Sequence, residues 1–211
     1  MIDAALSSDN PKALVPTQDE SGHGTFLASV AAGGADVENQ FLGAAPESKL
    51  AIVKLKPAKK YLKEFYLITE EKECYQENDI MLGMRYLNEL ANRYDMPLVI
   101  CIALGSNMGG HNATLPITGL LEMYANIANR AVVIGGGNEA NQRHHFYGKA
   151  ENVNDIKKAE VRVDGGMKGF TMELWTDIPN IVAVSIISPR EKEFHGCQSG
   201  RGVDGGISFC V

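Results

Sequence analysis

"PLVICIALG", residues 97–105, is the stretch that decides the fold class of this chain of 211 residues. It is a continuous apolar run that follows a proline and is closed by a glycine. Such a run is typical of a strand that is buried on both faces of a sheet, as in parallel sheets covered by helices. We therefore expect an α/β fold around it.

The neighbouring segments support a parallel sheet. Between Asp79 and Tyr94, apolar residues recur at helical spacing, which predicts a helix before the strand. A second helix is predicted at 117–130, and a second buried strand that ends in glycines at 131–138. A further strand is expected over Leu50–Leu55. Strand and helix then alternate over residues 49–138, which predicts parallel strands with helices packed on them.

The sequence changes character near residue 150. The segments that follow are β-rich, are separated by Gly, Asp and Pro turns, and show no long helical pattern: "AEVRV" at 159–163, "GFTMELWT" at 169–176 and "NIVAVSII" at 180–187. They predict an antiparallel β module. We accordingly divide the chain into an α/β part, 1–150, and a β-rich part, 151–211. The glycine-containing tail from Arg190 shows no pattern that we assign.

Composition excludes several classes of protein. The formal net charge is −6 and no strongly basic patch occurs, which argues against a nucleic-acid-binding protein. No apolar run approaches the roughly 18 residues of a membrane span, so no membrane partner is expected. The N-terminus "MIDAALSSDNPK" lacks the basic and apolar regions of a signal peptide. The four widely spaced cysteines have neither zinc-ligand spacing nor the density of a disulfide framework.

Nucleotide and metal sites are also disfavoured. "GGGNEAN" at 135–141 has glycines without the GxGxxG spacing, and no Walker-type sequence occurs. His144 and His145 are adjacent, so they cannot both face one ion from a regular element, and His111 and His195 have no obvious partner. We interpret these four as solvated loop histidines and expect neither a metal nor another cofactor.

Four motifs, taken together and in this order, resemble those of the subtilases, the subtilisin-like serine proteases. They are "GHGTFLASVAAG" at 22–33, "GAAPESKLAIVKL" at 43–55, "VICIALG" at 99–105 and "AVVIGGGNEAN" at 131–141. The resemblance implies part of a subtilisin-like three-layer fold, with helices flanking a parallel sheet. The β-rich segment resembles the jelly-roll-like insertion of bacterial subtilases related to spore-germination proteases, which separates the oxyanion asparagine from the serine motif.

The resemblance also implies residue roles, with a peptide or protein as the substrate. His23 would be the general base, and Asn138 would donate a hydrogen bond to the oxyanion. The main chain of Ala103, Leu104 and Gly105 would pair with an extended substrate, and Gly135, Gly136 and Gly137 would line the pocket for the side chain before the scissile bond. Without the resemblance, Asn138 also fits a plain loop residue in a left-handed turn.

The sequence departs from the family at two places. Asp3 is followed by Ala4 and Ala5 rather than by the family's Ser/Thr-Gly, and it lies too close to His23 for the usual intervening structure. No serine has the family's nucleophile setting, which is the start of a helix. Ser199 lies beside a glycine, but no helical pattern follows it. We expect an internal piece of a longer subtilase, whose N- and C-terminal segments carry the Asp and the Ser. The alternative is a pseudoprotease that retains only a peptide- or partner-binding groove. In either case we expect this polypeptide alone not to hydrolyse peptides.

Overall fold

The computed structural model describes residues 4–5, 7–167, 169–177 and 180–188, and the backbone of 193–198 and 207–210. In the described part the helices are α1 (Pro11–Leu14), α2 (His23–Ala32), α3 (Lys60–Phe65), α4 (Glu77–Arg93) and α5 (Pro116–Ala125). The strands are β1 (Leu98–Ile102), β2 (Arg130–Ile134), β3 (Thr171–Leu174), β4 (Ala183–Ile187), β5 (Glu193–Gln198) and β6 (Ile207–Cys210). Among these helices, none is long and apolar enough to cross a membrane.

Strands β1 and β2 form a parallel pair, joined by the crossover helix α5. Their register runs from Leu98 opposite Arg130 to Ile102 opposite Ile134. Parallel strands require a long crossover connection, and the periodic segment that predicted a second helix provides it. The predicted α/β class and the predicted parallel pairing of these strands are confirmed.

The hydrophobic core lies between this sheet and the two helices α4 and α5. Its buried centre consists of Met84 on α4, Ile100 on β1 and Tyr124 on α5, which are between 2% and 5% exposed. Partly buried apolar side chains surround them: Ile80, Leu98, Ile102, Leu120, Leu121 and Val132. This core fixes the position of β1 and β2, and therefore of the loops that leave their carboxyl ends.

Helix α4 forms because its apolar residues line one face and its charges suit the helix dipole. Glu77 and Asp79 lie in its first turn and Arg93 in its last. Glu77 also accepts a hydrogen bond from the backbone amide of Ile117, at 3.0 Å, and so caps the first turn of α5. Glu77 therefore stabilises the first turns of both helices that cover the sheet.

Two expectations about the sheet are wrong. The predicted strand over Leu50–Leu55 is an irregular segment in which Ile52 is 68% exposed, because no described strand takes up its backbone hydrogen-bonding groups. The segment instead packs Val53 against Gly83 of α4. Burial of β1 on both faces is also not observed, since Val99 is 66% exposed on the face opposite the helices.

The β-rich part contains antiparallel pairs, as predicted. Strand β3 pairs with β6, from Thr171 opposite Cys210 to Leu174 opposite Ile207. Strand β4 pairs with β5. The segment 159–163 is not a strand, however, because nothing in the described part pairs with it. The tail, which showed no pattern in the sequence, provides the partners β5 and β6.

Candidate active site

His23 is the first residue of helix α2, and its side chain is exposed. The preceding Gly22 has a φ of 75°, a left-handed conformation that turns the chain into the helix without a steric penalty. Among the described residues, no hydrogen bond or ion pair engages the His23 ring. The imidazole therefore projects from a fixed backbone position with both ring nitrogens available.

The start of α2 is held by Asp19, a residue that was not among the candidates predicted from the sequence. Its carboxylate accepts hydrogen bonds from the Thr25 amide at 2.8 Å, the Thr25 hydroxyl at 2.7 Å and the Gly22 amide at 2.9 Å. These bonds, chiefly the one from the Thr25 hydroxyl, lower the pKa of Asp19 to about 2. An acidic residue shortly before a helix start is the local signal that could have identified it.

The C-terminal end of α2 contacts the second of the sequence motifs. Ala44 donates its amide to the carbonyl of Val30, and Ala45 donates to Ala31. Gly43 lies so close to Gly33 that a Cβ atom at residue 43 would be 2.4 Å from the Gly33 nitrogen. The glycine at 43 is therefore required by this close backbone approach, and the motifs at 22–33 and 43–55 form one local unit.

The other two motifs meet at the carboxyl edge of the sheet. The amide of Gly135 donates to the carbonyl of Ile102 at 3.0 Å, which extends the pairing of β1 and β2 by one step. A Cβ atom at Gly135 would lie 3.8 Å from the Ala103 Cα. The structure therefore brings Ala103 and Gly135 together, which are the first residues of the predicted substrate-binding segments 103–105 and 135–137.

Asn138 follows this edge on an exposed glycine turn. Gly137 has a φ of 80°, which a residue with a side chain adopts only with strain. No atom lies within 4 Å of a Cβ position built at Gly136 or Gly137, so space is open beside both. Asn138 itself is exposed. Within the described ranges, no hydrogen bond, ion pair or ring contact joins it to His23.

The loop after Asn138 contacts the loop after β1 through Glu139. Its Oε2 accepts one hydrogen bond from Asn107 Nδ2 at 2.7 Å and contacts His144 Nδ1 at 3.1 Å. Asn107, and then His144, lower the pKa of Glu139 below its usual value. His144 is an exposed loop histidine, as expected, but its ring has a carboxylate partner. The two loops border an open pocket of about 180 Å³, lined by residues 106–111 with His144 and His145.

The loop after β1 is also attached to the β-rich part. Glu173 accepts hydrogen bonds from the Gly109 amide at 2.5 Å and from Trp175 Nε1 at 3.1 Å. The indole of Trp175 lies against Gly110, where a Cβ atom would be 2.7 Å from the ring. Gly110 and Trp175 thus pack as a pair that no larger residue at 110 would permit.

Among the described residues, no group of three His, Cys, Asp or Glu side chains is arranged to hold a metal ion. Asp3 and Ser199, which lack the sequence setting of the family's triad, lie outside the described residues.

Comparisons with known proteins show the family of this chain. A model described as the subtilase family matches residues 4–200. The solved structure of the Clostridium perfringens CspB protease is similar, with a TM-score of 0.71 and 29% sequence identity over 91% of this chain. This chain spans 38% of the length of that protein. No curated protein matches the sequence significantly. On the family match, which covers most of its length, the chain belongs to the subtilase family.

Proposed function

We propose that this chain provides the general-base histidine and one oxyanion donor of a subtilisin-like serine endopeptidase. The proposal rests mainly on the carboxyl edge of β1 and β2, where Ala103 and Gly135, the first residues of the segments 103–105 and 135–137, lie side by side. The catalytic Asp and Ser would come from other segments of a longer parent chain. The similar CspB structure is that of a protease and is longer than this chain, which supports both parts of the proposal.

In this proposal His23 transfers protons. Its imidazole takes the proton from the serine hydroxyl as that oxygen attacks the peptide carbonyl, and then donates it to the departing amine. Its exposed position at the first residue of α2 supports this role. Asp19 and Thr25 support it indirectly, because they hold the helix start from which the imidazole projects.

Asn138 would stabilise the tetrahedral intermediate. Its side-chain NH2 group would donate a hydrogen bond to the oxygen that becomes negatively charged as the serine attacks. Removal of such a donor from subtilisin itself lowers kcat by about 10²–10³-fold. The exposure of Asn138 beside the open space at Gly136 and Gly137 supports this assignment.

Substrate binding would use the main chain of both loops. An extended peptide would pair with Ala103, Leu104 and Gly105, in the way that a strand adds to a sheet edge. Gly135–Gly137 would form one wall of the pocket for the side chain before the scissile bond, since glycines let a ligand approach the backbone closely.

We also propose that the β-rich part, from about residue 151, belongs to an inserted module of the jelly-roll type. The antiparallel pairs β3–β6 and β4–β5 support this proposal. The contacts of Glu173 and Trp175 with residues 109–110 support a direct effect of the module on the loop after β1.

A second candidate is a binding protein without catalysis. The segments 103–105 and 135–137, which would form the binding edge, follow strands β1 and β2, whereas no aspartate or serine of the sequence has the family's triad setting. Such a pseudoprotease would bind an extended peptide or a partner chain at that edge and leave it intact.

A fluorophosphonate probe, which reacts with activated serines, distinguishes these candidates. We expect the 211-residue chain to remain unlabelled, and the protein encoded by the longer reading frame around it to be labelled stoichiometrically. Stoichiometric labelling of the chain alone would contradict the proposed division of the triad. A longer protein that is not labelled, but binds an extended peptide, would establish the pseudoprotease instead.

A further inference from the structure

We propose that Glu139 is a positioning residue, which holds the oxyanion donor Asn138 at a fixed place relative to the substrate-binding segment 103–105. It acts through the contact of its carboxylate with Asn107 and His144. This inference rests on the proposed function, because Asn138 has its role only there.

The geometry shows how one carboxylate oxygen joins the two loops. Glu139 Oε2 lies 2.7 Å from Asn107 Nδ2, two residues beyond Gly105, and 3.1 Å from His144 Nδ1 on its own loop. Asn138 is covalently bonded to Glu139, so any shift of Glu139 moves the asparagine directly. In the described part of the chain, His144 is the titratable group in contact with Glu139.

Little else fixes the backbone of this loop. Over residues 136–148, all of which the structure describes, one backbone–backbone hydrogen bond occurs, from the Gln142 amide to the Glu139 carbonyl. The glycines 135–137 on the N-terminal side permit many backbone conformations. The side-chain contact of Glu139 is therefore the main restraint on where Asn138 points.

The partner loop, in contrast, is anchored independently. Gly109 donates to Glu173, and Gly110 packs against Trp175, so the residues beyond Gly105 are fixed to strand β3 and its extension. Through Asn107, Glu139 connects the loosely restrained asparagine to this anchored loop.

The contact is suited to positioning more than to stability. The side chains of Glu139 and His144 are each 51% exposed, and polar contacts between half-exposed side chains add little to the free energy of folding. Misplacement of a catalytic group by about 1 Å, however, lowers the rate by up to about 10²-fold. Loss of Glu139 should therefore reduce turnover without reducing stability.

Kinetics of the full-length protein test this expectation. We expect E139A to lower kcat roughly 10-fold, with KM within about twofold of the wild type and an unchanged Tm. E139Q keeps an accepting oxygen for Asn107, so its kcat should recover to within about threefold of the wild type. The control E160A removes a carboxylate that is 86% exposed and contacts only Arg162 among the described ion pairs, and it should leave kcat unchanged.

Nuclear magnetic resonance of the 211-residue chain tests the contact without any need for activity. We expect E139A to shift the side-chain amide signals of Asn107 and Asn138, and E160A to shift neither of them. Unchanged Asn138 signals in E139A, or an unchanged kcat, would overturn the positioning role. If the signals shift but the wild-type full-length protein is inactive, the loop contact stands and the proposed enzymatic function fails.

Discussion

At the scale of single residues, the start of α2 depends on Asp19. The four hydrogen-bond donors that face its carboxylate belong to Ser21, Gly22 and Thr25, all within six residues of it. Free amides at a helix start cost stability unless an acceptor is supplied, and Gly22 has no side chain to supply one. Asp19 therefore fixes the backbone at His23.

The first prediction concerns the removal of this carboxylate. We expect D19A to lower Tm by a few degrees, because the amides of Gly22 and Thr25 lose their acceptor. The matched control is E20A, which removes the adjacent exposed carboxylate, one with no hydrogen bond among the described side chains. Circular dichroism melts measure both variants. Equal Tm values for D19A and E20A would contradict the capping role.

The second prediction concerns pH. The pKa of Asp19 is about 2 in the folded protein, mainly because the Thr25 hydroxyl donates to the charged form, and is about 3.9 in an unfolded chain. Because the folded pKa is the lower one, the stabilisation is complete above about pH 4 and is lost as the pH falls towards 2. The difference in stability between the wild type and D19A, measured by urea unfolding, should therefore shrink over this interval. A difference that stays constant down to pH 2 would disprove it.

At the scale of elements, the unit α4–β1–α5–β2 was predictable because its signals are local. The helical period of α4 and the apolar runs of β1 and β2 depend only on neighbours in sequence. The segment 50–55 carries a similar apolar run, yet a strand also needs a partner, and periodicity contains no information about partners. The same reason explains why β5 and β6 were missed.

The third prediction compares two apolar residues of α4. M84A removes a side chain that is 2% exposed at the centre of the core, and should lower the free energy of unfolding by about 3 kcal/mol. L82A, on the opposite side of the same helix and 62% exposed, should change it by less than about 0.5 kcal/mol. Urea unfolding measures both. Similar decreases in the free energy of unfolding for the two variants would contradict the assignment of Met84, and not Leu82, to the hydrophobic core.

The fourth prediction concerns the attachment of the loop after β1. W175A removes the ring that packs on Gly110, so the amides of residues 106–111 should exchange with solvent faster, while those of α4 stay protected. Hydrogen exchange read by mass spectrometry resolves these two segments. Y147A, which removes a side chain that is 78% exposed, serves as the control and should affect neither segment. Unchanged exchange at 106–111 in W175A would show that the β-rich part does not restrain the loop.

At the scale of the whole molecule, the described residues cover one face of the β1–β2 sheet and leave the other face open. Met84 and Tyr124 cover one side, whereas Val99 and Val133 are 66% and 53% exposed on the other. Parallel sheets are normally covered on both faces. This chain spans 38% of the length of the similar CspB protease, so we expect further segments of the parent protein to cover the open face.

At the candidate site, too, local sequence patterns contain no information about contacts between distant residues. His23, Asn138 and the two glycine-flanked loops could be selected as candidates because each lies in a short motif. The contact between Asn107 and Glu139 joins residues 32 positions apart, and the contact between Gly109 and Glu173 joins residues 64 apart. Contacts at such separations depend on how the whole chain packs, so no local sequence pattern predicts them.

The central claim is that this chain contributes His23 and Asn138 to peptide hydrolysis. Steady-state kinetics of the full-length protein test it most directly, with N141A as the control from the same exposed loop. We predict that N138A lowers kcat by about 10²–10³-fold with little change in KM, that H23A abolishes measurable turnover, and that N141A matches the wild type. A kcat for N138A or H23A equal to that of N141A would contradict the account.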